Sequence, residues 1–251
     1  YLAAAEKAAA FILTTLCRDG ELLHRYRDGE ASIPGFLDDH AFLVWGLLEL
    51  YEATFKPAHL ESALKVQDAA IARFWDPDRG GFYFTSGDEE LPLRRKESHD
   101  GAIPSGNAVS LSNLIRLGRL TGDADLEEKA LALVRAFAPN IRDSLPSHTH
   151  MLSGIDFMLG PSHEVVIAEG RDAGGTRKML DALRRYFLPR VVVLVRPEGT
   201  GPITRIAPFT ESMQSSGGQA TAYVCVLRAC QAPTTDASVL IRTLGVREVH
   251  T

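Results

Sequence analysis

Three polar clusters hold the side chains of this chain with the most chemical capacity: Asp38-Asp39-His40, Ser105-Gly106-Asn107 and His148-Thr149-His150. A carboxylate beside an imidazole can exchange protons near neutral pH, so Asp39 and His40 are the candidate catalytic acid–base pair. Asp38, His99, Asp100, Ser105 and Asn107 are candidate substrate contacts. The Asn107 amide both donates and accepts, as a sugar hydroxyl requires, and Gly106 permits close approach. Glu97 and Asp100 could join Asp39 as the two carboxylates of a glycosidase. Trp45, Trp75, Phe82 and Tyr83 offer flat faces to a sugar ring, with Trp45 and Tyr83 the chosen candidates. Each residue also has a purely structural role open to it. Asp38 or Asp39 can cap a helix, worth about 0.5–2 kcal/mol. Ser105 can cap the next helix, His40 can be a packed histidine, and the aromatics can be core. His148 and His150 are two residues apart and share no helix face, so no metal site is expected.

These clusters open helices of a particular kind. Residues 41–48, Ala-Phe-Leu-Val-Trp-Gly-Leu-Leu, leave no polar face, and a helix apolar all round is expected to be buried on every side. The helix predicted from Ser105 to Leu120 is mostly apolar or small, and the one from Ser147 to Leu159 carries a single charge, Asp156. Each follows an amphipathic helix: Leu2–Leu16, His59–Trp75 and Asp125–Phe137. Outer and inner helices alternate, which predicts three stacked helical hairpins whose inner helices point their N-termini at one mouth. Helix N-termini present free N–H groups and partial positive charge, so that mouth is the expected site. Long connections, including the short strand expected at Leu22–Tyr26 and the Gly80-Gly81 turn, lie at the same end.

After Gly160-Pro161 the pattern changes. Val165–Ala168 and Val191–Val195 read as buried strands around a helix from Thr176 to Tyr186, a βαβ unit with a parallel pair. Ala222–Leu227 is a candidate third strand, and a last helix is expected over Ala237–Leu244. The division is thus 1–160, helical, and 161–251, a small α/β subdomain. The turn Gly170–Thr176 has neither dinucleotide nor Walker spacing, and no cofactor is expected. Cys225 and Cys230 fall at odd spacing on an expected strand, facing opposite ways, and read as buried free thiols; zinc would need further ligands that are not identifiable.

The chain has 251 residues, 45% of them hydrophobic, and a net charge of −5 with scattered basic residues. Neither nucleic acid nor an anionic membrane is suggested, and no apolar run approaches a membrane span. Three cysteines do not make a secreted disulfide framework, so a cytoplasmic location is expected. The chain reads as part of something longer, and half an array would leave inner helices exposed, predicting association or an oligomer.

Several stretches are similar to the YyaL-like family of spermatogenesis-associated thioredoxin-domain proteins. They are residues 35–42 with 47–55, Trp75-Asp76 through Gly80–Thr85, Asp100–Asn107, Ala222–Cys225 and Ala229–Asp236. The resemblance covers nearly the whole chain. It implies the C-terminal part of a six-hairpin glycosidase-like toroid, akin to N-acylglucosamine 2-epimerases: a mainly α, partial (α/α) toroid of three hairpins followed by the small βαβ element. It further implies a sugar or polyol ligand, sugar hydrolysis or epimerase-like proton transfer, and an N-terminal thioredoxin-like domain as partner. The alternative is a non-catalytic binding or scaffold domain serving that thioredoxin-like domain. The family pattern carries Tyr at positions 40 and 99, which sets His40 and His99 apart from it.

Overall fold

The computed structural model describes residues 1–18, 21–87, 93–226 and 228–246. It is mainly α with two small sheets, and it divides into two compact units. The first comprises residues 1–117 and 124–156, the second residues 118–123 and 157–251.

In the first unit, α1 (Leu2–Phe11) runs into a wider π-helical turn over Ile12–Leu16, so the predicted first helix ends in changed geometry. A three-stranded antiparallel sheet follows: β1 (Cys17–Arg18), β2 (Glu21–Arg27) and β3 (Glu30–Pro34). β3 is not among the elements expected from the sequence. Its signal is Asp28-Gly29, both with positive φ, the hairpin turn whose twist matches its strands.

Two long helices come next, α2 (Leu37–Thr54) and α3 (Pro57–Phe74). α3 buries Leu60, Ala63, Val66, Gln67, Ala70 and Phe74, the stripe expected of an amphipathic helix. The expectation for α2 needs correction. Ala41, Val44, Leu47, Leu48 and Tyr51 are buried, but Gly46 is exposed and Phe42, Leu43 and Trp45 are only partly covered. Apolarity on all sides therefore coexists with an open face.

α4 (Gly106–Thr121) is enclosed along almost its whole length. Asn113 Nδ2 donates to the Ala41 carbonyl at 2.8 Å. Arg116 reaches Glu49 at 2.9 Å and Glu52 at 2.7 Å, fastening α4 to α2. α5 (Ala124–Asp143) buries Leu126, Ala130, Leu133, Phe137 and Ile141, and α6 spans Thr149–Leu159.

The second unit contains a four-stranded sheet. β4 (His163–Ala168) pairs in parallel with β5 (Val191–Arg196), with α7 (Ala173–Leu183) between them in sequence. β6 (Thr221–Val226) joins β4 on its other edge, antiparallel. Val165, Ile167, Met179, Leu183, Val224 and Leu240 share one apolar core, the last contributed by the terminal helix Ala237–Thr243. No helix among the described residues is long and apolar enough to cross a membrane.

The cysteine expectation is overturned. β7 (Ala229–Cys230) folds back antiparallel on β6, so Cys225 and Cys230 are directly opposed and form a disulfide. Opposite faces hold within one continuous strand, but a reversal between the two residues removes that rule. Cys17 is the free thiol. Alkylation under denaturing, non-reducing conditions should label one of the three cysteines, and reduction should expose the other two. Three labelled thiols before reduction would refute the pairing.

Candidate functional site

A groove of about 620 Å³ lies in the first unit between α1, β2 and the open face of α2. Its walls are apolar, built from Ala5, Ile12, Leu23, Phe42 and Leu43, and its polar end is His24, Asp38 and Asp39. Both aspartates lie in the first turn of α2, where a carboxylate meets free N–H groups and the positive end of the helix.

The two carboxylates are held differently. Asp39 accepts the Phe36 N–H at 2.8 Å and has His24 Nδ1 at 2.9 Å. Asp38 instead accepts the backbone N–H of Gly106, at the start of α4. A Cβ at position 106 would collide with Asp38 Oδ1 and Leu37, so only glycine allows this approach. Burial pushes the Asp38 carboxyl above its usual range, and the neighbouring charges of Glu97 and Asp39 add to the effect.

His40 lies apart from that end of the groove. It is 1% exposed, its Nδ1 lies 2.9 Å from the Phe36 carbonyl, and its ring meets Phe74 edge-on. Burial lowers its pKa.

The remaining candidates organise the long loop between α3 and α4. Asn107 is fully buried. Its Oδ1 accepts the Phe82 N–H at 2.8 Å, and its Nδ2 donates to the carbonyls of Phe82 at 2.9 Å and Glu97 at 2.8 Å. Asp100 accepts the N–H groups of Ser105 at 3.0 Å and His150 at 2.9 Å, tying the loop to the starts of α4 and α6. Ser105 Oγ accepts the Ala108 N–H at 3.2 Å, as a helix cap does. His99 is exposed. Both ring nitrogens of His148 are engaged, with the Ser144 carbonyl at 2.8 Å and Ser98 Oγ at 3.1 Å.

Trp45 stands beside His150, with ring centroids 5.2 Å apart, and donates to Glu49 at 3.1 Å. Phe82 is core, against Trp75. Tyr83 donates to Asp76 Oδ2 at 2.8 Å and lies beneath Arg94 and Lys96.

Asp76, whose sequence neighbours mark only a turn, is the centre of a second knot. Lys96 Nζ donates to it at 2.7 Å and to the Gly80 carbonyl at 2.6 Å. The Asp78 and Arg79 N–H groups close the turn on its other oxygen. Gly80 and Gly81 both have positive φ there, and a Cβ at Gly80 would meet the Ala132 carbonyl at 2.8 Å. The Lys96 ammonium, with the Tyr83 hydroxyl and these N–H groups, holds the Asp76 carboxyl far below the usual carboxylate range despite its burial. His24 was also missed. The strand period puts it on the same face as buried Leu22, but the sequence alone names no partner for it.

The fold and site therefore define a mainly α chain with a carboxylate-ended groove. No family profile matches it. It is 36% identical to human spermatogenesis-associated protein 20 over 213 residues, covering 84% of the chain and 27% of that protein. The mouse protein of the same name is 38% identical over 217 residues, with the same coverage. An uncharacterized protein of Caenorhabditis elegans is 28% identical over 252 residues, 93% of the chain and 33% of that relative. The chain thus spans about a quarter of the length of the spermatogenesis-associated relatives it matches.

Two outcomes follow for the knots. Asn107→Ala should cost about 2–4 kcal/mol in urea unfolding, because it orphans three backbone groups at once; a loss within experimental error would deny it that role. For Asp76, the folded pKa lies below the unfolded value of about 3.9. Its stabilisation is therefore complete above about pH 5 and falls away as acid protonates the carboxylate. Asp76→Asn should flatten the acid limb of the stability–pH curve; an unchanged limb would contradict the network.

Proposed function

We propose that this chain is part of a six-hairpin toroid of the YyaL-like, glycosidase- and epimerase-related type. On this reading it is a carbohydrate-active domain that performs acid–base chemistry at the polar end of the groove. The helical residues 1–160 form the partial toroid and 161–251 a C-terminal subdomain, within a longer protein that carries a thioredoxin-like domain. The observation that carries the reading is the unlike pair of carboxylates at the start of α2. Asp38, shielded and crowded by like charge, keeps its proton more readily and is suited to protonate a leaving oxygen. Asp39, with His24 Nδ1 at 2.9 Å, is the second carboxyl group, placed to take up a proton or to face the sugar ring. This moves the acid role from His40 to Asp38 and leaves His40 as packing. Trp45 and the backbone knots at Asp100, Ser105, Asn107 and Tyr83 support the mouth.

A second reading has its own observation: the groove walls are apolar, as suits a docking surface better than a sugar. On that reading the chain is a non-catalytic scaffold for the thioredoxin-like domain.

A thermal-shift screen of the chain against sugars, sugar phosphates and polyols separates the two, since a ligand of the native state raises Tm. The expected result is a shift in the wild type that disappears in Asp39→Asn. Asp38→Asn should keep binding, lower turnover of the identified substrate by about 10²-fold or more, and remove the loss of activity as pH rises through the raised Asp38 pKa. It should also stabilise the fold at neutral pH, because it removes a shielded charge. No ligand across the library would favour the scaffold.

A further inference from the structure

The groove at the start of α2 changes character along its length. Asp39, Phe42, Leu43, Gly46 and Leu50 fall at helical spacing on the side of α2 that lines it, a stripe of roughly 16 Å at the usual helical rise. Only the first turn of that stripe is polar. His24, Asp38 and Asp39 are the polar lining residues, and every other lining residue among those described is apolar. A sugar ring needs hydrogen-bonding partners around most of its edge, and this groove offers them at one end only. It is longer and more apolar than a free monosaccharide requires.

Gly46 sharpens the point. It sits inside an 18-residue helix, where glycine weakens the element. A Cβ there would meet nothing within 4 Å, so no neighbour among the described residues forces the glycine. The position is exposed, and the absent side chain lets an occupant lie against the helix backbone. Phe42 and Leu43, one turn nearer the polar end, are only partly covered and continue the same open surface.

The polar end selects the head group. It consists of two carboxyl groups and a histidine, and no Lys or Arg among the described residues lines the groove. An anionic head, such as that of a fatty acid, would find no cationic partner there and would meet like charge. A neutral head rich in hydroxyl donors matches these acceptors.

We propose that the groove takes an amphiphilic glycoside, with the sugar head at His24, Asp38 and Asp39 and an alkyl chain along Phe42, Leu43 and Gly46. The inference rests on the carbohydrate reading above and names the substrate class of that same site. The apolar walls become the seat of the aglycone.

Alkyl β-glucosides of increasing chain length, kept below their micelle concentrations, test this by calorimetry on the 251-residue chain. From methyl to octyl glucoside, Kd should fall roughly two- to fourfold per added methylene. Octan-1-ol carries the chain without the sugar and should bind roughly tenfold more weakly than octyl glucoside. Asp39→Asn should erase that difference. Gly46→Leu places a better helix former where nothing stands in the way, and should cut the octyl-to-methyl preference about tenfold by filling the stripe. Equal Kd values for methyl and octyl glucoside, or a preference untouched by Gly46→Leu, would overturn the amphiphile and leave the carbohydrate reading standing. Equal binding of octan-1-ol and octyl glucoside, unaltered by Asp39→Asn, would overturn both. Absence of binding by every glucoside, including the case in which sedimentation shows a second copy of the chain covering the groove, would overturn the substrate class, and the wider sugar screen would then decide the broader reading.

Discussion

The first unit depends on the buried amide of Asn107. Among the described residues between α3 and α4, no helix is formed, and some of their backbone groups are buried. Asn107 satisfies three of them at once, at Phe82 and Glu97. Asp76 closes the turn at one end of the loop, and Asp100 ties the other end to α4 and α6. With these contacts formed, Phe84 accepts the Leu37 N–H at 3.0 Å and stacks on Phe36, which sets the start of α2. The positions of Asp38, Asp39 and Glu97 follow from that loop. Buried polar groups have few alternative partners, so such knots specify one arrangement where apolar packing would tolerate several.

The same economy explains the groove. α2 carries more apolar surface than its neighbours in this unit cover, and the uncovered stripe through Phe42, Leu43 and Gly46 becomes one wall. The polar end is confined to the first turn of α2 and to His24 from β2. A carboxylate there is stabilised by the helix start and destabilised by its own shielding. Asp38 and Asp39, adjacent in sequence, are held by different partners, one by the Gly106 N–H and the other by His24 and the Phe36 N–H, and shielding raises the pKa of Asp38.

Helical periodicity and strand alternation are local properties, and they made most of the elements legible in the sequence. The stripe of α3, the stripe of α5 and the parallel pair β4–β5 need only neighbours a few residues away to declare themselves. The positions of the polar clusters at or beside the starts of α2, α4 and α6 were legible for the same reason. What each cluster does was not. Asn107, Asp100 and Ser105 have the side chains of ligand contacts, and residue type alone does not separate a group that binds a ligand from one that binds its own backbone.

Sequence by itself thus determined the mainly helical character, the strands of the parallel pair β4–β5, and which residues carry protons or hydrogen bonds. Tertiary structure decided which of those residues meet. It paired His24 with Asp39 across β2 and α2, turned His40 toward Phe74, closed Asp76 on Lys96, and opposed Cys225 to Cys230 through a chain reversal. The physical reason is that such contacts join residues distant in sequence or related by a turn. Their free energy depends on burial and on distances that no local pattern encodes.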